Sequence, residues 1–188
     1  MVFSRIRSIW QTAIALSIAL VLNFLFVSSP AGAVLTDDHF DGNIFPLYAG
    51  NGSLVPPRVS LVETLRDHRP ALLVFYADDS SDCKKYVSVV SYLDSFYGRN
   101  ANFIPVMVDA IPLKSSYEST EAGYYYKGYV PQTVLLDSSG KVVLDAAGVL
   151  PFEQVDDAFR EVFNLLPRTE SVELRRRPVN EVNTELTN

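Results

Sequence analysis

The first apolar block of the chain runs from Ile9 to Val27, broken only by polar residues such as Gln11, Thr12, Ser17 and Asn23, and it follows Arg5 and Arg7. Ser28-Ser29-Pro30-Ala31-Gly32-Ala33 comes next, with Ala31 and Ala33 at the small-residue positions of a leader-peptidase site. A positive end, an apolar stretch and a small-residue exit together make an export leader. The apolar run also matches a short membrane span, so residues 1–33 read as a signal peptide cleaved after Ala33 or as a retained anchor. Both readings place the rest of the chain in an extracytoplasmic compartment.

Residues 34–58 are rich in Gly, Pro, Asn and Asp and read as an irregular lead-in. The pattern then becomes regular and outlines a domain over 59–167. Ser60 followed by Glu63 fits a capping box, opening a helix to about Arg69 before Pro70. Ala71 to Ala77 is apolar without alternation, which suits a central strand buried on both faces. A polar turn, Asp78 to Asp82, leads into a helix through Tyr97, with Val87, Val90, Leu93 and Phe96 as its inward stripe. Phe103 to Val108 predicts a second buried strand, and Ser116 to Lys127 a further helix. Val134 to Leu136 and Lys141 to Leu144, joined by Asp137-Ser138-Ser139-Gly140, carry a hairpin signature. Phe152 to Leu166 closes the domain as an amphipathic helix, and residues 168–188 form a polar tail expected to lack fixed structure. The order predicts an α/β domain with a central mixed β-sheet flanked by helices on both faces.

Composition narrows the function classes. The chain has 188 residues and a formal charge of −6, with Arg175 to Arg177 as its only basic run. A nucleic-acid partner would need a basic patch, so none is expected. The single cysteine, Cys83, rules out an internal disulfide, and the fold must stand on its core.

Candidate chemistry gathers at the polar turn. Ser80 or Ser81 could be a nucleophile only with a base in reach, and the chain has just His39 and His68, which no pattern places there. Ser80 is better read as the cap of the following helix. Asp78, Asp79 and Asp82 offer oxygens to a hard cation, but without a supporting loop pattern they read as a solvated acidic turn, and no metal or cofactor is expected. The same carboxylates would raise the pKa of Cys83. Tyr124-Tyr125-Tyr126-Lys127-Gly128-Tyr129 supplies aromatic area for recognition or for the core edge.

With its punctuation, the region from Ser60 to Leu166 resembles thioredoxin. Tyr76-Ala77-Asp78-Asp79-Ser80-Ser81-Asp82-Cys83-Lys84 stands where that family has Trp-Ala-x-Trp-Cys-Gly-Pro-Cys-Lys, and Val130-Pro131-Gln132-Thr133 stands at its cis-proline loop. Asp109, Gly140 and Gly148 also fall at typical positions. The departures are Ser80 for the nucleophilic cysteine, Asp82 for the motif proline, and Val74 for a buried aspartate. Dithiol exchange needs an attacking thiolate and a resolving thiol, so the resemblance implies a thioredoxin fold without dithiol oxidoreductase activity.

The leader, Ile44-Phe45-Pro46-Leu47-Tyr48-Ala49-Gly50-Asn51-Gly52 and the motif turn resemble, more narrowly, a cyanobacterial group of thioredoxin-like membrane proteins associated with photosystem I accumulation in thylakoids. That resemblance implies a site in the thylakoid membrane or lumen and photosystem I subunits or assembly intermediates as partners. Contacts would come from Asp78, Asp79, Ser80, Ser81, Asp82, Cys83, Tyr129, Val130 and Pro131. The alternative is a monothiol redox protein whose Cys83 forms a mixed disulfide with a thioredoxin or other thiol partner, and the third reading makes Cys83 a small core residue.

Overall fold

The computed structural model describes residues 34–171 and four isolated positions, Trp10, Ile14, Leu16 and Ser17. The leader expected over 1–33 and the tail beyond Ser171 lie outside the described residues. Among the described residues, no helix is long and apolar enough to cross a membrane.

Helix α1 (Ile44–Ala49) is followed by α2 (Leu61–Arg66), β1 (Ala71–Tyr76), α3 (Ser81–Tyr97), β2 (Asn102–Met107), β3 (Gln132–Leu136), β4 (Val142–Ala147) and α4 (Phe152–Val162). The sheet has the order β2-β1-β3-β4, with β1 parallel to β2 and antiparallel to β3. Strand β1 is therefore central and fully buried, as its unbroken apolar run requires. One face packs Leu72, Val74 and Tyr76 with α1, α3 and α4; the other packs Leu73 and Phe75 with Leu61 of α2 and Tyr125. The predicted mixed sheet with helices on both faces is the observed architecture.

Local chemistry explains the boundaries. The capping box forms as read, with the Glu63 amide donating to Ser60 Oγ at 3.2 Å and the Ser60 amide to Glu63 Oε2 at 3.0 Å. In the hairpin turn, the Asp137 carboxylate accepts from the Ser139 and Lys141 amides, and Gly140 takes the left-handed conformation. Helix α4 stops at Val162, earlier than the pattern predicts, because Asn164 turns left-handed and the Leu165 amide closes back on the Arg160 carbonyl. Behind α4, the buried Asp156 accepts from Tyr97 Oη at 2.5 Å and from Arg160 Nε at 2.8 Å. Arg168, read as the start of a loose tail, instead lies in a short 3₁₀ turn and is held by Asp157 at 2.5 Å.

Two whole segments also differ from expectation. The lead-in is not irregular throughout: Asn43 caps α1 by accepting from the Phe45 amide, Gly50 ends it in the left-handed region, and Ile44 and Phe45 are buried. The segment Ser116 to Lys127 is not a helix and contains only a 3₁₀ turn, Ala122–Tyr124. Its polar groups are satisfied elsewhere: Gln132 Oε1 accepts from the Lys127 amide, Gln132 Nε2 donates to the Tyr125 carbonyl, and Tyr125 Oη donates to the Ser119 carbonyl. A buried glutamine thus replaces helical hydrogen bonds.

Leu93 on α3 has no exposed surface, and its truncation leaves a cavity between helix and sheet. Leu93→Ala is expected to lower unfolding free energy by about 3 kcal/mol, read as a reduced denaturant midpoint at unchanged m-value.

Candidate functional site

The motif turn leaves the end of β1 and enters α3. Ser80 is extended and caps the helix, its Oγ accepting from the Cys83 amide at 3.3 Å. This hydroxyl is a helix cap, and among the described residues no histidine hydrogen-bonds it. Cys83 has no exposed surface; it lies in the cluster that includes Ile44, Phe45, Tyr76, Tyr86 and Val87. Burial pushes its thiol pKa up; hydrogen bonds with Ser80 and the Ala77 backbone oppose that shift without cancelling it, and the Asp82 and Asp79 charges add smaller upward pushes. Val74, in place of a buried acid, is plain core.

The three aspartates do not act together. Asp78 is buried, and its Oδ1 accepts from the Ile44 amide at 3.1 Å, at the N-terminus of α1. Burial raises its pKa, the Ile44 amide opposes that shift, and the Asp79 and Asp109 charges add to it. Asp79 is exposed, while Asp82 pairs with Lys85 at 3.0 Å. The reading of a solvated acidic turn is therefore wrong for Asp78, a desolvated carboxylate that positions a helix.

The largest feature that the sequence reading missed is what covers this turn. Lys84, the residue after Cys83, has no exposed surface. Its Nζ donates to Asp41 Oδ2 at 2.8 Å, the Asp37 carbonyl at 3.0 Å, Asp37 Oδ1 at 3.2 Å and the Val34 carbonyl at 3.2 Å. It also stands 5.6 Å from the centre of the Tyr48 ring, whose hydroxyl donates to Asp41 at 2.5 Å. Burial pulls this ammonium toward neutrality, but the hydrogen bonds it donates to Asp41 and Asp37 outweigh it and hold its pKa above lysine's ordinary value.

Residues 34–43 thus form a strap across the start of α3. Asp38 Oδ1 accepts from the Ser81 amide at 2.7 Å, placing a carboxylate at the helix N-terminus, where free amides and the helix dipole favour it. That hydrogen bond lowers the Asp38 pKa, as the Lys84 hydrogen bond does for Asp41. Asn43 Nδ2 donates to Tyr76 Oη at 3.2 Å, and Phe45 meets the Tyr76 ring edge-on with centroids 5.2 Å apart. The signal was Asp37-Asp38 and Asp41 opposite one motif lysine, but a separation of more than forty residues hid it.

The second predicted element lies beside the first. Gln132 pairs with Phe75 across β1 and β3, so Pro131 sits next to the end of β1. The Val130–Pro131 peptide is cis, and the Gly148 amide donates to the Pro131 carbonyl at 2.8 Å. Pro131 is buried, Val130 packs on the Cys83 cluster, and Tyr129 is 37% exposed. Of the tyrosine run, Tyr125 is buried, Tyr126 packs its ring at a tilt against Phe75 and Tyr124 is exposed. The structure therefore brings the two predicted segments together at one end of the sheet. It leaves Asp79, Asp82, Tyr129 and part of Val130 at the surface, Ser80 and Ser81 half-buried, and Asp78, Cys83 and Pro131 inside.

The geometry makes the Cys83 thiol slow. Alkylation by iodoacetamide at pH 8 is expected to run at least about tenfold slower in the native chain than in denaturant, since the thiol is covered and its thiolate disfavoured. Lys84→Ala removes the anchor of the strap and is expected to restore most of the lost rate; equal native and denatured rates in the unsubstituted chain refute the burial. The strap also has a pH sense. Asp38 and Asp41 have depressed folded-state pKa values, so their contribution is complete above about pH 5 and is lost as pH falls below about 4. Hydrogen exchange over residues 34–48, corrected for intrinsic rates, is expected to accelerate in that lower window and to stay flat from pH 6 to 8.

A family model of the thioredoxin-like domain matches residues 58–163. The chain is 57% identical over 154 residues to the thylakoid membrane protein slr1796 of Synechocystis, covering 82% of this chain and 77% of that protein. Among solved structures, it is similar to a point variant of thioredoxin from Halobacterium salinarum at 24% identity and a TM-score of 0.45, over 57% of this chain and 86% of that one. A thioredoxin from Fasciola hepatica gives 20% identity and a TM-score of 0.42, over 53% and 89%. Because the family match spans more than half of the chain and the Synechocystis relative most of it, this chain belongs to the thioredoxin-like family.

Proposed function

We propose that this chain works at the thylakoid membrane as a non-catalytic thioredoxin-like factor, promoting photosystem I assembly or accumulation by holding a polypeptide partner. The observation that carries the non-catalytic part is the interior position of Cys83 behind a serine that caps the helix. Exchange needs an accessible thiolate and a second thiol, and this site offers neither. A mixed disulfide at Cys83 would require the Phe45 and Tyr76 wall to open. The thylakoid part is supported by the 57% identical relative, a thylakoid membrane protein. The photosystem I part rests on the resemblance of the leader, the Ile44–Gly52 stretch and the motif turn.

The binding surface in this reading is Asp79, Asp82, Tyr129 and Val130, with Asp78, Cys83 and Pro131 as the support beneath. A half-exposed tyrosine next to a rigid turn suits peptide recognition, because its large ring loses little entropy on binding. Isolation of the full chain from native membranes is expected to enrich photosystem I subunits or assembly intermediates. The double substitution Tyr129→Ala with Asp79→Lys is expected to reduce that recovery about tenfold, the loss of roughly 1.4 kcal/mol of binding. Cys83→Ala is expected to leave recovery and photosystem I levels unchanged; their collapse in a folded Cys83→Ala chain would favour the mixed-disulfide role.

A further inference from the structure

The connection from β2 to β3 is the longest one in the domain and holds only short 3₁₀ turns; its last residues, Tyr129 to Pro131, belong to that reading, but residues 108–126 have no part in it. Loops of this length in compact domains are usually functional. This one is tied down by its own side chains. Tyr117 Oη donates to the Pro112 carbonyl at 2.7 Å, Lys114 pairs with Glu121, and the Glu118 amide donates to Glu121 Oε2 at 3.0 Å. A Cβ on Gly123 would fall 2.4 Å from the Tyr117 ring, so the glycine is needed for that packing.

Between this loop, the end of β2 and the lead-in at Val55–Pro57 lies an open groove of about 530 Å³. That volume is in the range of binding sites rather than packing defects. Its walls are mainly apolar, with Met107, Ile111, Pro56 and Tyr117 among them. Leu113, next in the chain to the lining Pro112, is fully exposed and adds apolar area beside the groove. The loop that supplies Ala110, Ile111, Pro112 and Tyr117 to the groove is acidic, with Asp109 and Glu118 next in the chain to lining residues. Residues 108–126 carry Asp109, Glu118 and Glu121 against Lys114 alone, and Lys114 is already paired with Glu121. Asp109 is exposed, and its charge adds a little to the raised pKa of Asp78.

We propose that this groove is a second binding site, which takes an extended segment of a partner polypeptide whose apolar side chains are flanked by lysine or arginine. The apolar walls and Leu113 supply buried area, and the unneutralised Asp109 and Glu118 supply the preference for a basic neighbour. The same charges repel an anionic lipid surface or an acidic peptide. The site stands independently of the Tyr129 face, which is described by other residues.

Photo-crosslinking of the full chain in its native membranes tests it, with benzoylphenylalanine placed at the Ile111 or Leu113 position and, as control, at the exposed Ser138 of the hairpin turn. Crosslinked peptides sequenced by mass spectrometry are expected to contain apolar residues within a few positions of Lys or Arg, from both groove positions and not from Ser138. Asp109→Lys and Glu118→Lys are each expected to cut the groove yield about tenfold, with Cys83 alkylation unchanged as the check that the domain is folded. Yields no higher than at Ser138, crosslinks to lipid, to a second copy of this chain or to segments without basic residues, or yields indifferent to both charge reversals would each overturn the proposal. Loss of photosystem I recovery in the Tyr129→Ala, Asp79→Lys chain with groove crosslinks intact would separate this site from the first.

Discussion

An ammonium with no exposed surface has to be surrounded by acceptors, and at Lys84 the segment before the domain supplies those acceptors. Much of the site's character depends on this constraint. Satisfying Lys84 draws Val34, Asp37 and Asp41 over the start of α3, which brings Asp38 to the Ser81 amide and sets Tyr48 beside the ammonium. Once the strap lies there, Asn43 and Ile44 reach Tyr76 and Asp78, and Phe45 closes over the cluster that contains Cys83. The burial of the thiol thus depends on charges from a segment more than thirty residues away.

The chemistry follows from that closure. In an exposed turn at a helix N-terminus, a cysteine would gain thiolate character. Here desolvation and the Asp82 and Asp79 charges work in the other direction, while the helix N-terminus is already served by Ser80 and Asp38. Asp78 is likewise committed to holding α1, which removes it from any role as a surface carboxylate. The scaffold brings the motif turn and the cis-proline loop together at one end of the sheet, with Asp79, Asp82, Tyr129 and part of Val130 at the surface. The proposed role, recognition without turnover, is built on this arrangement.

Much of the scaffold was legible in the chain. The apolar run at Ala71–Tyr76 marks a central strand because only a strand covered on both faces can lack alternation. Ser60 with Glu63, and Asp137 through Gly140, are local hydrogen-bonding devices whose partners lie within four residues. Helix α1 was also readable in principle, through Asn43 and Gly50 at its ends, but the Gly and Pro content around it masked a six-residue element. The loop Ser116–Lys127 misled for the opposite reason: its residues tolerate helix, and Gln132, outside the segment, takes the hydrogen bonds that would have built one.

By itself, the sequence determined the order of the four strands and of α2, α3 and α4, the absence of an internal disulfide, the loss of the dithiol pair and the cap made by Ser80. Each of these is a matter of composition or of neighbours close along the chain. The tertiary structure alone decided that Cys83 and Asp78 are interior, that Lys84 is clasped by the lead-in, and that an apolar groove opens beside β2. Burial and desolvation are sums over residues brought together from distant positions, and no local pattern records which residues those will be.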